Sequence, residues 1–144
     1  MTSYRQELPV MFQHCDPAGI VFYPRYFEMM NWVVERFFDE AVGWPFSQMH
    51  AVDRRGIPAV SVSAEFRSPA RLGDILDWHL QVQRVGRASA TIQLDAFVGD
   101  RMVVEGQVSI VHSDLDKMRS LSWTDAVRER LEAHYAENGD HRGK

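Results

Sequence analysis

The clearest pattern of apolar and polar positions lies between Pro24 and Gly43, where the spacing is that of a helix with one buried side. A step of about 100° per residue puts eight apolar side chains on one broad arc and places Glu28, Glu35 and Asp39 on the opposite face. The arc consists of Tyr26, Phe27, Met30, Val33, Val34, Phe37, Phe38 and Ala41. Because Pro24 suits a first helical turn and Gly43 a C-terminal stop, we predict one long helix between them.

Four later segments alternate between apolar and polar residues, which is typical of antiparallel strands with one face on a core. They cover residues 57–70, 74–85, 89–98 and 102–113. On the first of these strands the predicted core side consists of Val60, Val62, Ala64 and Phe66. A weaker alternation over residues 7–14 predicts a strand before the helix, with one face made of Leu8, Val10, Phe12 and His14.

This order of elements predicts an α+β domain in which about five antiparallel strands cover the apolar side of the long helix. Residues 44–56 have no sustained period, so we expect a loop with a short helical turn. A terminal helix is expected from Ser122, as its N-cap, to Ala136. The length fits one domain, residues 1–136, and residues 137–144 lack an apolar anchor and are expected to fray.

Composition narrows the possible functions. The net charge of −4 argues against a nucleic-acid binder, which needs a basic surface. The single cysteine, Cys15, cannot form an internal disulfide, and because no residue pair has metal-ligand spacing we expect no metal. No segment approaches the roughly 18 to 20 apolar residues of a membrane span, and the N-terminus lacks a signal-peptide pattern. These features predict a soluble cytoplasmic protein.

The stretch HCDPAGIVFYP, residues 14–24, places a carboxylate between a predicted strand and the long helix. Pro17 biases Asp16 towards extended backbone, and Gly19 allows a sharp reversal of the chain. The carboxylate and the helix N-terminus can therefore face one gap, where free N–H groups suit an oxygen that becomes negative. An ionised aspartate can attack a carbonyl carbon or deprotonate a water. Alternatively, Asp16 only bonds local amides in a structural turn.

Two segments, CDPAGIVFYPRYF and SAEFRSPARLGDIL, resemble the hotdog-fold acyl-CoA thioesterases of the 4-hydroxybenzoyl-CoA thioesterase type, and the likeness covers about residues 9–115. The related Tol-Pal-associated thioesterases have a similar aspartate loop, but usually a histidine where this chain has Pro24. The resemblance implies a hotdog fold and subunits paired into a continuous sheet, commonly as a dimer of dimers (a homotetramer). It further implies cleavage of an acyl-CoA to free acid and CoA at the subunit interface, without a cofactor.

The resemblance also assigns roles to two residues of the loop. Asp16 would act as nucleophile or general base, with nucleophilic attack favoured, and the backbone N–H of Tyr23 would form the oxyanion hole. The acyl group would be aromatic, as in 4-hydroxybenzoyl-CoA, or a short to medium aliphatic chain. A dehydratase or hydratase of the same fold, which needs a histidine beside the carboxylate, and a non-catalytic acyl-CoA binding module remain alternatives.

Further candidates would contact the partner subunit, line the acyl pocket or hold the CoA phosphates, for which the arginine fork is suited. Each group also has an explanation without a site: a solvated strand face for the partner contact, core packing for the pocket residues, and ordinary surface charges for the arginines. The candidates are Ser61 for the partner contact; Phe22, Trp44, Phe46 and Met49 for the pocket; and Arg84 with Arg87, and Arg67 with Arg71, for the phosphates. His14 and His112 are expected to be core or interface histidines, and His50 a surface residue.

Overall fold

A five-stranded antiparallel sheet packs against one long helix in the computed structural model of this protein, which describes residues 3–136. The helices are α1 (Pro24–Phe37), α2 (Phe46–Ala51) and α3 (Asp125–Glu132). The strands are β1 (Tyr4–Pro9), β2 (Arg55–Gly56), β3 (Ala59–Phe66), β4 (Ile75–Val85), β5 (Ser89–Val98), β6 (Arg101–Val111), β7 (Ser113–Asp114) and β8 (Arg119–Ser120). The large sheet has the order β1-β4-β5-β6-β3, and β2, β7 and β8 form a small second sheet. This is the predicted α+β hotdog architecture. The predicted fraying of residues 137–144 lies outside the described residues.

The middle of the sheet carries the core, and there the predicted alternation is confirmed. The inward side chains of β4 and β5 are fully buried: Leu76, Trp78, Leu80, Val82, Ala90, Ile92, Leu94 and Ala96. Helix α1 lies close to this face at Gly106 of β6. A Cβ at Gly106 would lie 2.8 Å from the Met30 Cε and 3.0 Å from the Leu94 carbonyl oxygen. The absent side chain therefore lets the helix pack directly on the sheet, which fixes where its N-terminus lies.

The long helix ends close to the predicted position. After Phe37 the chain continues as a single π turn, Phe38–Val42, and stops at Gly43, whose φ is +78°. A glycine adopts this left-handed conformation without steric cost. None of the described helices is long and apolar enough to cross a membrane.

The first strand was predicted wrongly. β1 covers Tyr4–Pro9 rather than residues 7–14, and a 3-10 turn, Phe12–His14, follows it. Phe12, predicted to point inward, is 83% exposed. Pro9 pairs with Ile75, the first residue of β4, and the pairing ends one residue later, where the Val10 N–H donates to the Asp74 carbonyl at 2.8 Å.

The predicted start of the terminal helix is also wrong. Thr124 is the N-cap of α3, and its hydroxyl accepts a hydrogen bond from the Val127 N–H at 3.2 Å. The hydroxyl of Ser122, the predicted cap, instead accepts a bond from the Arg87 guanidinium at 2.8 Å. The helix therefore begins at Asp125, where a first-turn carboxylate suits the helix dipole.

Strand β3 forms one edge of the large sheet and pairs with β6. Phe66 contacts the rings of α1, as predicted for the core side of this strand, yet it remains partly exposed. A bulge between Ala59 and Ser61 displaces Val60, which is 64% exposed instead of facing the core. The free N–H and C=O groups of an edge strand are a template for pairing with another chain, and exposed apolar side chains favour that association.

Candidate active site

Asp16 lies in a short hairpin that leads from the 3-10 turn into α1. The Phe22 N–H donates to the His14 carbonyl, and the Asp16 N–H donates to the Ile20 carbonyl, both at 2.9 Å. Gly19 has a φ of +80° and donates its N–H to the Asp16 carbonyl at 2.9 Å. Backbone hydrogen bonds on both sides of the turn therefore hold Asp16 in a fixed relation to the first residues of the helix.

One oxygen of the Asp16 carboxylate is engaged locally and the other is available. Oδ1 accepts a hydrogen bond from the Ala18 N–H at 2.9 Å. Within residues 3–136 no hydrogen-bond partner of Oδ2 is found, and the side chain is half-buried. The structural alternative, a carboxylate that bonds local amides, thus accounts for one oxygen, and the same bond orients the second.

Helix α1 begins with an unpaired donor. The N–H groups of Arg25 and Tyr26 donate to the carbonyls of Phe22 and Tyr23, at 2.9 and 3.1 Å, and Pro24 has no N–H. Tyr23 is the N-cap, and its own N–H has no partner in the described part of the chain. One backbone donor is therefore left at the electropositive end of the helix, where a negative oxygen is stabilised.

The segment SPARLGD, residues 68–74, is hydrogen-bonded to this hairpin through the backbone. The Val21 N–H donates to the Ala70 carbonyl at 2.9 Å, and the Leu72 N–H donates to the Gly19 carbonyl at 3.1 Å. Between these two bonds Arg71 forms a β-bridge with Ile20. The Arg71 side chain is exposed, and no partner for its guanidinium is found among residues 3–136. A free cation therefore lies beside the Asp16 loop.

An apolar cavity of about 490 Å³ runs along the side of α1 from Phe27, one helical turn beyond Tyr23. Its volume is in the usual range of small-molecule sites. Its apolar walls include Phe27, Met30, Val34, Phe46, Val62 and Ile110. Two side chains with hydrogen-bonding groups, Asn31 and His50, also line it. His50 therefore lies in a cavity rather than on the open surface; its spacing from Phe46, four residues along α2, was the available signal.

Of the predicted pocket residues, Phe46 lines this cavity and the others lie elsewhere. Trp44 donates its indole N–H to the Asp53 carboxylate at 2.8 Å and lines a second cavity of about 390 Å³. Met49 is fully buried in the core. Phe22 is exposed beside Tyr23, with 5.7 Å between the ring centroids, at the entrance to the hairpin rather than in the cavity.

The structure separates Arg84 and Arg87 from the Asp16 loop. Arg84 lies near the end of β4, nine residues after Ile75, so that about 30 Å of strand separates them at 3.3 Å per residue. The Arg87 guanidinium also donates to Ser122 at 2.8 Å. Within one protomer, the loop is approached by Arg71 and not by this pair.

Ser61 lies on the polar side of β3, as predicted. It pairs with Ser109 of β6, whereas Val62 and Phe66 face α1 and its cavity. Ser61 therefore does not approach Asp16 in its own subunit, and the contact with a partner subunit stays a prediction.

No histidine among the described residues hydrogen-bonds to Asp16. His14 accepts the Met11 N–H on Nδ1 at 2.8 Å, and burial, followed by the nearby Arg25 charge, lowers its pKa. His112 is 3% exposed and stacks on Trp123 with 5.1 Å between the ring centroids; burial lowers its pKa as well. Within residues 3–136, no cluster of three or more His, Cys, Asp or Glu side chains could hold a metal ion.

Comparisons with known proteins give a sequence match and several structural matches. The sequence profile of the thioesterase-like superfamily matches residues 10–131. No curated protein matches the chain.

The structural matches extend over most of the fold. A 1,4-dihydroxy-2-naphthoyl-CoA thioesterase from Synechocystis is 17% identical with a TM-score of 0.82, covering 90% of this chain and 95% of its own. A gentisyl-coenzyme A thioesterase is 24% identical with a TM-score of 0.79, covering 87% and 99%. A thioesterase superfamily protein from Jannaschia is 23% identical with a TM-score of 0.84, covering 93% and 94%. Likeness at these identities shows a shared fold.

Proposed function

The chain belongs to the thioesterase-like superfamily of thioester hydrolases, and on that premise we propose that it cleaves acyl-CoA thioesters at the Asp16 hairpin. The observation that carries this proposal is that the hairpin and the helix start it leads into each contain one unsatisfied group: the Oδ2 of Asp16 and the N–H of Tyr23. The narrower likeness to the 4-hydroxybenzoyl-CoA type, and the relation to Tol-Pal-associated thioesterases, stay predictions.

The Tyr23 N–H can stabilise the negative charge that develops on the carbonyl oxygen, and the Asp16 carboxylate can act as the nucleophile. The thioester carbonyl oxygen accepts a hydrogen bond from the Tyr23 N–H, and Oδ2 of Asp16 attacks the carbonyl carbon. The tetrahedral intermediate collapses, the carbon–sulfur bond breaks, and the CoA thiolate leaves and takes a proton from solvent. Water then hydrolyses the mixed anhydride, which releases the acid and restores the carboxylate. In the alternative, Asp16 deprotonates a water that attacks the same carbon.

A panel of acyl-CoA substrates tests the proposal by the release of free thiol. The panel contains aromatic acyl groups, such as 4-hydroxybenzoyl, and short and medium aliphatic ones, since Phe27 and Phe46 give the cavity an aromatic wall. Thiol release supports a thioesterase. Tight binding without thiol release indicates a binding module, and addition of water to an enoyl-CoA indicates a hydratase.

Arg71 is the proposed contact to the CoA phosphates, because its guanidinium is unpaired and adjoins the hairpin. We expect Arg71→Ala to raise the KM for acyl-CoA about three- to tenfold and to leave kcat nearly unchanged, since the phosphates are remote from the reacting carbon. Steady-state thiol release measures both constants. Arg84→Ala in parallel tests the first assignment: if it raises KM and Arg71→Ala does not, the phosphates bind at the far end of the sheet.

We propose that two subunits pair through β3, and that two such dimers form a tetramer. Support comes from the exposed apolar side chains of this edge strand, which no described segment covers on its outer side. Ser61 and the aromatic rings near Phe66 would then lie at the subunit interface, next to the entrance of the site.

Val60→Arg is expected to reduce the molar mass in solution, because paired arginines at the strand interface repel each other and lose solvation. Light scattering coupled to size-exclusion chromatography measures the mass. Val52→Arg is a matched control, because Val52 is 66% exposed and Val60 is 64% exposed. An unchanged mass for Val60→Arg would rule out pairing through β3.

A further inference from the structure

His50 is a polar group set in an apolar cavity. The imidazole lies on α2 and contacts the Phe46 ring edge-on, with 5.0 Å between the centroids. Apolar side chains of α1, β3 and β6 form most of the surrounding wall. Pockets of this kind bind the apolar body of a ligand and select it by a few placed polar groups.

The hydrogen bond of Nδ1 determines whether Nε2 of His50 is a hydrogen-bond donor or an acceptor. Nδ1 lies 3.0 Å from the Phe46 carbonyl oxygen, which can only accept, so Nδ1 carries the proton. In the neutral imidazole, Nε2 then presents a lone pair. Within residues 3–136 no partner of Nε2 is found.

Nε2 lies beside another residue of the cavity wall. A Cβ at Gly56 would lie 3.6 Å from it, and Gly56 itself lines the cavity. The Nδ1 side of the ring faces the backbone of its own helix. A ligand in the cavity therefore meets an acceptor at this position, and an acceptor is satisfied by an O–H or N–H group.

We propose that His50 determines acyl specificity by accepting a hydrogen bond from a hydroxyl of the acyl group, so that hydroxylated acyl thioesters are preferred over otherwise identical ones. This inference rests on the proposed thioesterase function. The cavity wall along α1, from Phe27 to Val34, is about 10 Å long at 1.5 Å per residue. The cavity is therefore long enough for a hydroxyl that is remote from the thioester carbon, either on an aromatic ring or along an aliphatic chain.

Matched substrate pairs test the inference. One pair is 4-hydroxybenzoyl-CoA and benzoyl-CoA, and the other is a medium-chain acyl-CoA with and without a terminal hydroxyl. We expect kcat/KM to favour the hydroxylated member of at least one pair about tenfold, as for one neutral hydrogen bond or slightly more. The pair that shows the preference identifies the acyl class.

His50→Phe keeps an aromatic ring but cannot accept, so the ratio is expected to fall to about one. His50→Gln places an amide oxygen near the former Nε2 and is expected to restore part of the ratio. His134→Phe is the matched control, since His134 also places Nδ1 near the carbonyl four residues earlier, at 3.1 Å from the Arg130 oxygen, but does not line this cavity. Its ratio is expected to equal that of the wild type. Thermal unfolding of each variant confirms that it is folded.

Calorimetric binding of the same pairs to the Asp16→Asn protein gives the preference without turnover. Equal affinities in both pairs, or a ratio that His50→Phe leaves unchanged, would overturn the role of His50 while thiol release still supports the proposed function. A binding preference that depends on His50 in a protein without thiol release would support His50 and reject the thioesterase.

Discussion

Asp16→Asn is expected to lower the rate of thiol release at least about a hundredfold while the fold is retained. The reason is that the two carboxylate oxygens have different roles: Oδ1 holds the turn, and Oδ2 is the proposed reactive atom. The asparagine Oδ1 can still accept the Ala18 N–H, so the turn keeps its hydrogen bond. The atom that changes is Oδ2, which becomes an amide nitrogen that can neither attack a thioester nor deprotonate water.

The measurement is steady-state thiol release at saturating substrate, with thermal unfolding followed in parallel. Asp100→Asn is the matched control, because Asp100 is exposed in the turn between β5 and β6 and no hydrogen bond or ion pair of its carboxylate is found among residues 3–136. We expect wild-type turnover for that variant. Wild-type turnover for Asp16→Asn would remove this carboxylate from the chemistry and leave it with the structural role alone.

Removal of the Tyr23 N–H is the second change with a large expected effect. Tyr23 has a φ of −55°, which is within the range that a proline ring imposes, and its N–H makes no hydrogen bond in the described chain. Tyr23→Pro therefore deletes the proposed oxyanion donor without breaking an internal hydrogen bond. Loss of one such donor typically costs about a hundred- to a thousandfold in kcat, and we expect that loss here.

Tyr23→Ala separates the backbone donor from the phenol ring. This variant keeps the N–H and loses the ring contacts with Phe22 and Phe66. We expect its kcat to stay within about tenfold of the wild type, because the oxyanion donor is present. Equal losses in kcat for the two variants, both folded by circular dichroism, would show that the side chain and not the amide is required.

The parts of the fold that were predicted correctly depend on short-range patterns. The alternation in β4 and β5 and the apolar arc of α1 record directly which side chains meet the core. The errors arise where the neighbouring strand determines the end of a strand or the direction of a side chain. β1 ends at Pro9 because β4 begins at Ile75, and nothing in residues 7–14 encodes that register. Val60 is displaced by a bulge that depends on the facing strand β6.

In the candidate site, too, features set by residues close in the chain were predicted better than features that depend on distant segments. The Asp16 turn and the helix start are eight residues apart in the chain, so the order of Asp, Pro, Gly and the second Pro was enough to place them together. Arg84 was chosen as a cation beside a turn, but the length of β4 places it far from the loop. Trp44 was predicted to line the acyl pocket and His50 to lie on the surface. Instead His50 lines the cavity beside α1 and Trp44 lines the second cavity, because the placement of α2 across the cavity from α1 and β3 decides which side chain enters it.

A crystal structure with a non-hydrolysable acyl-CoA analogue, in which a methylene group replaces the thioester sulfur, tests the central claim most directly. The account predicts the ketone oxygen about 3 Å from the Tyr23 backbone nitrogen and the ketone carbon about 3 to 3.5 Å from Oδ2 of Asp16, on opposite sides of the bound group. An analogue bound with its ketone remote from both atoms would contradict the account.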